Sequence, residues 1–235
     1  MIVSSILFLL QANVPADTTA AATDADPTNA SLLETLIDGG WPMIPLVILL
    51  ILAIFIYIER YLTIRKANTD SEDFMKQVRR HVLAGNVEAA KGLCESRNDP
   101  FARMILKGIT RLGVASLKDI EGSIENVGKL EVYRLERRLS ILATVAAAAP
   151  MIGFFGTVLG MIKAFNAIVA EGGQADAVDL AGGISQAMVT TAFGLVVGIL
   201  AYLAYNTLVS MVNKVIFKLE LTSTDFLDLL QEPAE

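Results

Sequence analysis

Three stretches of this sequence carry no charged residue over lengths that suit a lipid bilayer: residues 43–58, 139–162 and 180–213. A helix needs about twenty apolar residues to cross a hydrocarbon core of roughly 30 Å. Trp41 and Tyr61 bracket the first stretch as interfacial anchors, so the first span reaches about that length. The third stretch exceeds what a bilayer core requires, so its helix should protrude into water on one side.

This pattern predicts an all-α integral membrane protein with three transmembrane helices, in which long helices 2 and 3 extend into a cytoplasmic helical bundle. The mean hydropathy of +0.54 agrees with that class, because it is too high for a soluble domain of average composition. The predicted segments are 1–40 (a signal-like start and an external segment), 41–62 (first transmembrane helix), 63–137 (cytoplasmic helical domain), 138–165 (second transmembrane helix), 166–180 (external loop), 181–212 (third transmembrane helix) and 213–235 (cytoplasmic tail).

The distribution of basic residues predicts the orientation of these spans. Sixteen of the nineteen Lys and Arg residues lie between positions 60 and 138, and Lys214 and Lys218 follow the third span. Loops rich in Lys and Arg stay in the cytoplasm. Residues 63–137 and 213–235 are therefore expected inside, with the N-terminus outside and the C-terminus in the cytoplasm.

The second span is expected to continue a cytoplasmic helix without a break. A charged helix begins near Leu117, and we find no helix-ending signal between it and the apolar stretch that starts at Leu139. Pro150 lies inside that stretch, where its ring removes the hydrogen bond to the carbonyl of Ala146. Pro150 is interpreted either as a hinge that widens a pore or as a tolerated membrane proline.

Small residues recur every three or four positions in the second and third spans. The predicted packing glycines are Gly153, Gly156, Gly160, Gly194 and Gly198. Small side chains let membrane helices approach closely, and such approach drives their association. The two stripes therefore indicate either a surface that meets other helices or ordinary packing within one subunit.

Polar residues without a titrating group lie beside these stripes. The predicted channel-lining residues are Thr157, Gln186, Thr190 and Thr191. Hydroxyl and amide groups form hydrogen bonds but do not exchange a proton near neutral pH, and the three span cores contain no Asp, Glu or His. If protons pass, the carboxylate must come from another chain. The alternative is that these groups only join helices, at roughly 0.6 kcal/mol per hydrogen bond.

Several other function classes find little support in the residues. The single cysteine, Cys94, cannot form an intrachain disulfide, and with the single His81 it makes a metal site of ordinary spacing implausible. An intramembrane Ser–His protease would need a histidine in a span, and an ATPase would need a Gly-rich phosphate loop. We expect no enzyme activity, no metal or other cofactor and no nucleic-acid partner; a membrane scaffold that only clusters partners is the remaining alternative.

Three motifs resemble the ExbB/TolQ/MotA family of proton-channel subunits. They are Gly39-Gly40-Trp41-x-Met43-x-Pro45 leading to Ile58-Glu59-Arg60, Gly153-Phe-Phe-Gly-Thr-Val-x-Gly160-Met161, and Gly183-Ile-Ser-Gln-Ala-x-x-Thr-Thr-Ala-x-Gly-Leu195 ending at Tyr205-Asn206. Their order and spacing cover about residues 39–212. Three spans with the large loop after the first are similar to ExbB and TolQ, whereas MotA-like members have four.

The resemblance implies a multi-pass protein of the bacterial inner membrane, whose external segments are periplasmic. It implies a homo-oligomer, expected to be a pentamer, around single-span ExbD- or TolR-like partners that carry the titrating Asp. Proton flow would drive motion passed to a TonB- or TolA-like protein. The resemblance also implies that Thr157 and Thr191 line the channel, and Gln186 stands where the family often has a glutamate. Gln186 and the N-terminal extension favour the ExbB branch over TolQ.

Overall fold

The computed structural model describes residues 39–68, 71–170 and 177–231, which belong to one compact unit spanning residues 36–235. The described residues form seven helices and no strand. The helices are α1 (Met43–Ala67), α2 (Ser71–Leu83), α3 (Val87–Ser96), α4 (Pro100–Ile109), α5 (Leu117–Glu136), α6 (Leu139–Ala170) and α7 (Ala177–Gln231). The signal-like start, most of the predicted external segment and residues 171–176 of the predicted loop lie outside the described residues.

Three of the helical stretches are long and apolar enough to cross a membrane. Segments of 18 residues in the stretches that contain α1, α6 and α7 have mean hydropathies of 2.3, 1.9 and 2.0. Their outward side chains are large and apolar: Ile44, Phe55 and Phe154 are all more than half exposed. Such surfaces suit lipid or another apolar helix and do not suit water. The prediction of an all-α protein with three transmembrane helices is confirmed, and the chain is a multi-pass membrane protein.

Helix α7 connects the membrane part of the fold to the soluble part. Its 55 residues reach about 82 Å as one uninterrupted helix. Apolar residues stay buried on one face of α7 beyond the charge-free stretch, including Val215, Leu219 and Phe226. The expected protrusion of the third helix into the soluble domain is therefore present, and α7 packs against α1, α2, α4, α5 and α6.

The soluble helices are short, and polar side chains begin three of them. Asn86, Asp99 and Ser116 each accept a hydrogen bond from a backbone N–H in the first turn of α3, α4 and α5. Pro100 follows Asp99 at the first helical position, where its missing N–H is harmless. The core beneath these helices includes Phe74, Phe101, Met104, Ile105 and Ile124.

The expected continuous helix across residues 117–162 is wrong, because the chain breaks between α5 and α6. Arg137 has an extended ψ of 132°, and Arg138 has a left-handed φ of 71°. A left-handed backbone costs a non-glycine residue roughly 1–2 kcal/mol. Here Arg138 Nη1 donates to Glu59 Oε2 on α1 at 2.5 Å, which holds the residue that turns the chain.

Candidate channel-lining site

The two stripes of small residues pack against each other inside one chain. A Cβ atom added to Gly153 would lie 3.1 Å from the Thr190 carbonyl oxygen and 3.2 Å from the Gly194 Cα. A Cβ on Gly194 would lie 2.7 Å from the carbonyl oxygen of Ala149. The backbones of α6 and α7 are therefore in direct contact, which is the second of the two alternatives for the stripes.

The close contact between the backbones of α6 and α7 continues toward the C-terminal end of α6. A Cβ on Gly156 would meet the side chain of Thr190 at 2.5 Å, and one on Gly160 would lie 2.8 Å from the carbonyl oxygen of Gly183. Because a larger residue at Gly160 would strike backbone, it could fit only if the two helices moved apart.

Pro150 faces Gly198 across this seam. Helix α6 continues through the proline, and a Cβ on Gly198 would lie 2.6 Å from Pro150 Cγ and 3.1 Å from the Ala146 carbonyl oxygen. That carbonyl is the one left without its helical donor by the proline ring. Gly198 thus lets α7 approach the turn of α6 in which Pro150 removes a backbone hydrogen bond. The hinge role of Pro150 stays a prediction.

A polar cluster joins the segment before α1 to the N-terminal part of α7. The carbonyl oxygen of Gly39 accepts from Thr190 Oγ1 at 3.2 Å and from Gln186 Nε2 at 3.4 Å. Gly40 follows with a left-handed φ of 69°, and a Cβ there would overlap Gln186 Nε2. Lys163 Nζ donates to Gln186 Oε1 at 3.4 Å, so Gln186 bridges α6, α7 and Gly39 in the segment before α1.

Of the four predicted lining residues, the structure brings Gln186 and Thr190 together and places the other two apart. Thr191 Oγ1 donates across the seam to the Gly153 carbonyl oxygen at 2.9 Å. Thr157 Oγ1 donates to the Phe154 carbonyl oxygen on its own helix, at 2.6 Å. The α6 residue that faces Thr190 is Gly156, one position before Thr157. Gly39 was missed as a member of this cluster, because the sequence showed Gly39-Gly40 only as part of a motif that precedes the first span.

These groups can accept hydrogen bonds but cannot supply a proton of their own. The hydroxyls of Thr157, Thr190 and Thr191 each already donate to a backbone carbonyl. Their oxygens keep lone pairs that can accept a hydrogen bond from water or from a protonated carboxylic acid. The span cores hold no Asp, Glu or His in the sequence. The arrangement can therefore position a proton donor that comes from elsewhere.

A charged cluster ties the C-terminal part of α1 to the break between α5 and α6. Glu59 accepts from Arg138 and, at 2.9 Å, from Arg60 Nη2. Arg60 is only 7% exposed, and its Nη1 donates to the Arg134 carbonyl oxygen at 3.4 Å. Its buried Nε has no hydrogen-bond partner within the described ranges. Removing a partner from a buried charge is strongly destabilising, so this cluster fixes where α1 meets the break.

A second charged cluster holds α4 against α5. Glu131 is 2% exposed and accepts from Arg103 Nε at 3.0 Å and from Arg103 Nη2 at 2.6 Å. Arg134 Nη1 donates to the same carboxylate at 2.6 Å. The hydrogen bonds to Glu131 raise the pKa of Arg103 above its ordinary value. Such two-point contacts fix orientation as well as distance.

Comparison with known proteins gives the family. Residues 96–221 match the model of the MotA/TolQ/ExbB proton channel family. An ExbB-like biopolymer transport protein of Synechocystis is 31% identical over 182 residues, which are 77% of this chain and 71% of that protein. The Tol-Pal system protein TolQ of Haemophilus influenzae is 45% identical over 85 residues, or 36% of this chain and 37% of that one. The biopolymer transport protein ExbB of Aquifex aeolicus is 41% identical over 80 residues, or 34% and 53%.

The matched region contains the soluble helices α4 and α5, the seam between α6 and α7, and all four predicted lining residues. The motifs that carried the resemblance in the second and third spans fall inside it as well. The chain therefore belongs to the MotA/TolQ/ExbB proton channel family.

Proposed function

We propose that this chain is the multi-span subunit of a proton channel in a bacterial inner membrane. In this proposal, several copies surround a one-span partner of the ExbD or TolR kind, whose aspartate carries the proton. The resulting motion passes to a TonB-like protein and energises transport across the outer membrane. The observation that carries the proposal is the hydrogen-bonding seam between α6 and α7, which has hydroxyl and amide groups but no Asp, Glu or His in its span core.

The energy available per proton limits the mechanism. A membrane potential of about 100 mV supplies roughly 2.3 kcal/mol for each elementary charge that crosses. Mechanical work at the outer membrane would therefore use several protons, or a pH gradient added to the potential. A carboxylic acid on a partner helix would donate to the free lone pairs of Thr157 or Thr191 while it waits between the two sides.

The test replaces each hydroxyl by a methyl group of the same shape. Thr157→Val and Thr191→Val should abolish energised uptake in cells, because the side chain can no longer accept a hydrogen bond. The complex should still assemble, since the substituted side chains keep their volume. Thr144→Val on α6 and Thr207→Val on α7 are matched controls, because both hydroxyls are exposed and donate within their own helix. Normal uptake in both Thr157→Val and Thr191→Val would contradict a role of these two hydroxyls in proton conduction.

Liposomes test whether the chain needs a partner's acid. The chain reconstituted alone should leave a pH gradient intact, and addition of the one-span partner should dissipate it. Robust proton leakage through the chain alone would contradict the proposal, because no acid within its span cores could account for it.

Service in the Tol-Pal system is the second candidate function. The identity of 45% to TolQ of Haemophilus influenzae over 85 residues favours it as strongly as the ExbB relatives favour the first. Complementation separates the two: rescue of envelope division in a strain that lacks TolQ, without rescue of energised uptake, would assign the chain to the Tol branch. A scaffold without conduction would rescue neither, and its partners would not respond when the proton gradient is dissipated.

A further inference from the structure

Two grooves follow one another along the seam between α1 and α7. The first is apolar and encloses about 310 Å³. Leu50, Ile54 and Tyr57 of α1 line one wall, and Leu200 and Ala204 of α7 line the other. These residues all belong to the charge-free stretches that cross the membrane, so the groove lies within the hydrocarbon layer.

The second groove has a mixed lining, in which Val209, Phe217 and Leu221 lie beside polar and charged side chains, and its volume is about 740 Å³. It begins at Asn206, beside the last residue of the apolar groove, Thr207, and it continues inward along α7. Lys214 and Lys218 are its two basic residues, and Glu72 lies on the wall formed by α2. The two grooves thus follow one another along α7, the first apolar and the second carrying two lysines.

Lys214 lies two turns of α7, about 10 Å, beyond Thr207, on the side where the charge-free stretch of α1 ends at Ile58. Lys214 directly follows the charge-free stretch that ends at Asn213. A long lysine side chain there can extend its ammonium group to the headgroup layer. Lys214 forms no ion pair with any other part of the chain that the structure describes. Lys218 Nζ donates to Asn68 Oδ1 at 2.7 Å, which keeps the second ammonium group at the same wall.

We propose that this double groove binds one anionic phospholipid. An acyl chain lies in the apolar groove, and the phosphate lies against Lys214 and Lys218. A soluble acidic partner would match the two lysines, but it could not fill an apolar groove inside the membrane. The carboxylate of Glu72 weakens the attraction between the two lysines and a phosphate group. Removal of this carboxylate should therefore strengthen lipid binding. The proposal requires only that α1 and α7 cross a bilayer, and it does not depend on proton conduction.

Native mass spectrometry of the full chain in detergent tests the proposal. Phosphatidylglycerol and phosphatidylcholine with the same acyl chains are titrated separately, and the bound lipids are counted. Wild-type protein should retain phosphatidylglycerol more tightly. Lys214→Glu should reduce that preference at least about five-fold, since one basic residue near a lipid surface contributes roughly that factor. Glu72→Gln should increase it. Lys118→Glu is the matched control, because it makes the same charge change in the first turn of α5.

The apolar groove has its own variant. Ala204→Phe should fill that groove and reduce retention of both lipids, whereas Ala147→Phe, at an exposed position of α6, should leave retention unchanged. Because Ala204→Phe leaves the lysines intact, its effect separates acyl-chain binding from attraction by charge.

Four outcomes would overturn the proposal. Equal retention of the two lipids by the wild type would show no anionic site. An equal loss with Lys118→Glu would show only general attraction by charge. Displacement of phosphatidylglycerol by millimolar inorganic phosphate would indicate a free-anion site. A change in the number of subunits with Lys214→Glu, at constant lipid count, would make the groove an interface between copies.

Discussion

Gly194 lies where the backbones of α6 and α7 leave no room for a side chain. An added Cβ would lie 2.7 Å from one backbone oxygen and 2.9 Å from the Cα of Gly153. We expect Gly194→Ala to lower the free energy of unfolding by about 1–3 kcal/mol, as overpacking does elsewhere. The measurement is thermal unfolding in detergent.

Gly182 provides the control for that substitution. It lies in the same helix, and an added Cβ would have no neighbour within 4 Å. Gly182→Ala should therefore be neutral or stabilise by up to about 1 kcal/mol, the gain in helix propensity. Equal destabilisation by both variants would contradict the close contact at Gly194.

Cys94 is the one cysteine, and its thiol is shielded in the soluble domain. Burial, and after it the charge of Asp99, raises the pKa of the thiol from 9.0 to about 12. The side chain is only 2% exposed. At pH 8 the native protein should resist maleimide, because the reactive thiolate is scarce and covered. The folded thiol holds its proton more tightly, so its contribution to stability is present below pH 9 and is lost as the pH rises toward 12.

Mass spectrometry after timed labelling checks this prediction. The denatured chain should react fully within the period in which the native chain does not. A cysteine introduced at Glu88, an exposed position of the same helix, in a Cys94→Ser background should react in the native state. Rapid native labelling of Cys94 would show that α3 opens readily.

At the level of single residues, the sequence predicts which residue types lie in the seam better than it predicts which way each side chain points. The residue types of the seam were evident, since glycine, threonine and glutamine recur at helical spacing. Which of two neighbours faces α7 was not evident: Gly156 meets Thr190, while Thr157 bonds to its own helix. Positions one residue apart differ by about 100° around a helix, and a nearly uniform apolar surface does not fix that rotation.

The break between α5 and α6 is an element-scale feature with a sharp consequence. At Arg138, with φ of 71°, glycine suits the backbone and alanine does not. Arg138→Gly and Arg138→Ala both lose the hydrogen bond to Glu59. The glycine variant should nevertheless be more stable, by about 1 kcal/mol, because alanine alone keeps the left-handed strain.

A continuous helix would give the reverse order, since glycine is about 1 kcal/mol worse than alanine inside a helix. Chemical unfolding of the two variants decides between these orders. Glu136, an exposed residue within α5, is the control: Glu136→Ala should there be more stable than Glu136→Gly. If Arg138→Ala were more stable than Arg138→Gly, the result would support an unbroken helix at this position.

The break escaped prediction because its cause lies far away in the sequence. Arg138 pairs with Glu59, which is separated from it by 79 residues. Local signals at 137–138 are those of a charged helix, with neither glycine nor proline. Helix α7, in contrast, was predictable nearly to its end at Gln231, because its apolar spacing continues through Val215 and Leu219.

The orientation of the molecule in the membrane is a prediction for the whole chain. In a Cys94→Ser background, a cysteine at Lys118 should react with a membrane-impermeant maleimide only after cells are opened. A cysteine at Glu171 should react in cells whose outer membrane alone is permeable. The reason is the basic segment between residues 60 and 138, which should stay in the cytoplasm. Reversed labelling of the two positions would overturn the assignment of inside and outside.

The overall architecture could be predicted from the sequence because few backbone structures are stable in a lipid bilayer. Backbone groups in lipid must be satisfied within the segment, so charge-free stretches of this length become helices. The manner in which the soluble helices α4 and α5 pack against each other could not be predicted. It depends on buried pairs such as Arg103 with Glu131, whose charges looked like an ordinary solvated surface in the sequence.

The unbroken length of α7 means that no joint separates its two ends. A stiff rod about 82 Å long contacts Gly39 through Thr190 in its N-terminal part and packs Phe226 against Gly108 of α4 near its C-terminal end. A tilt of α7 by a few degrees about the region of Thr190 becomes a sideways shift of several ångströms at its C-terminal end. Geometry alone would convert a small rearrangement beside the threonines into a displacement large enough for another protein to sense.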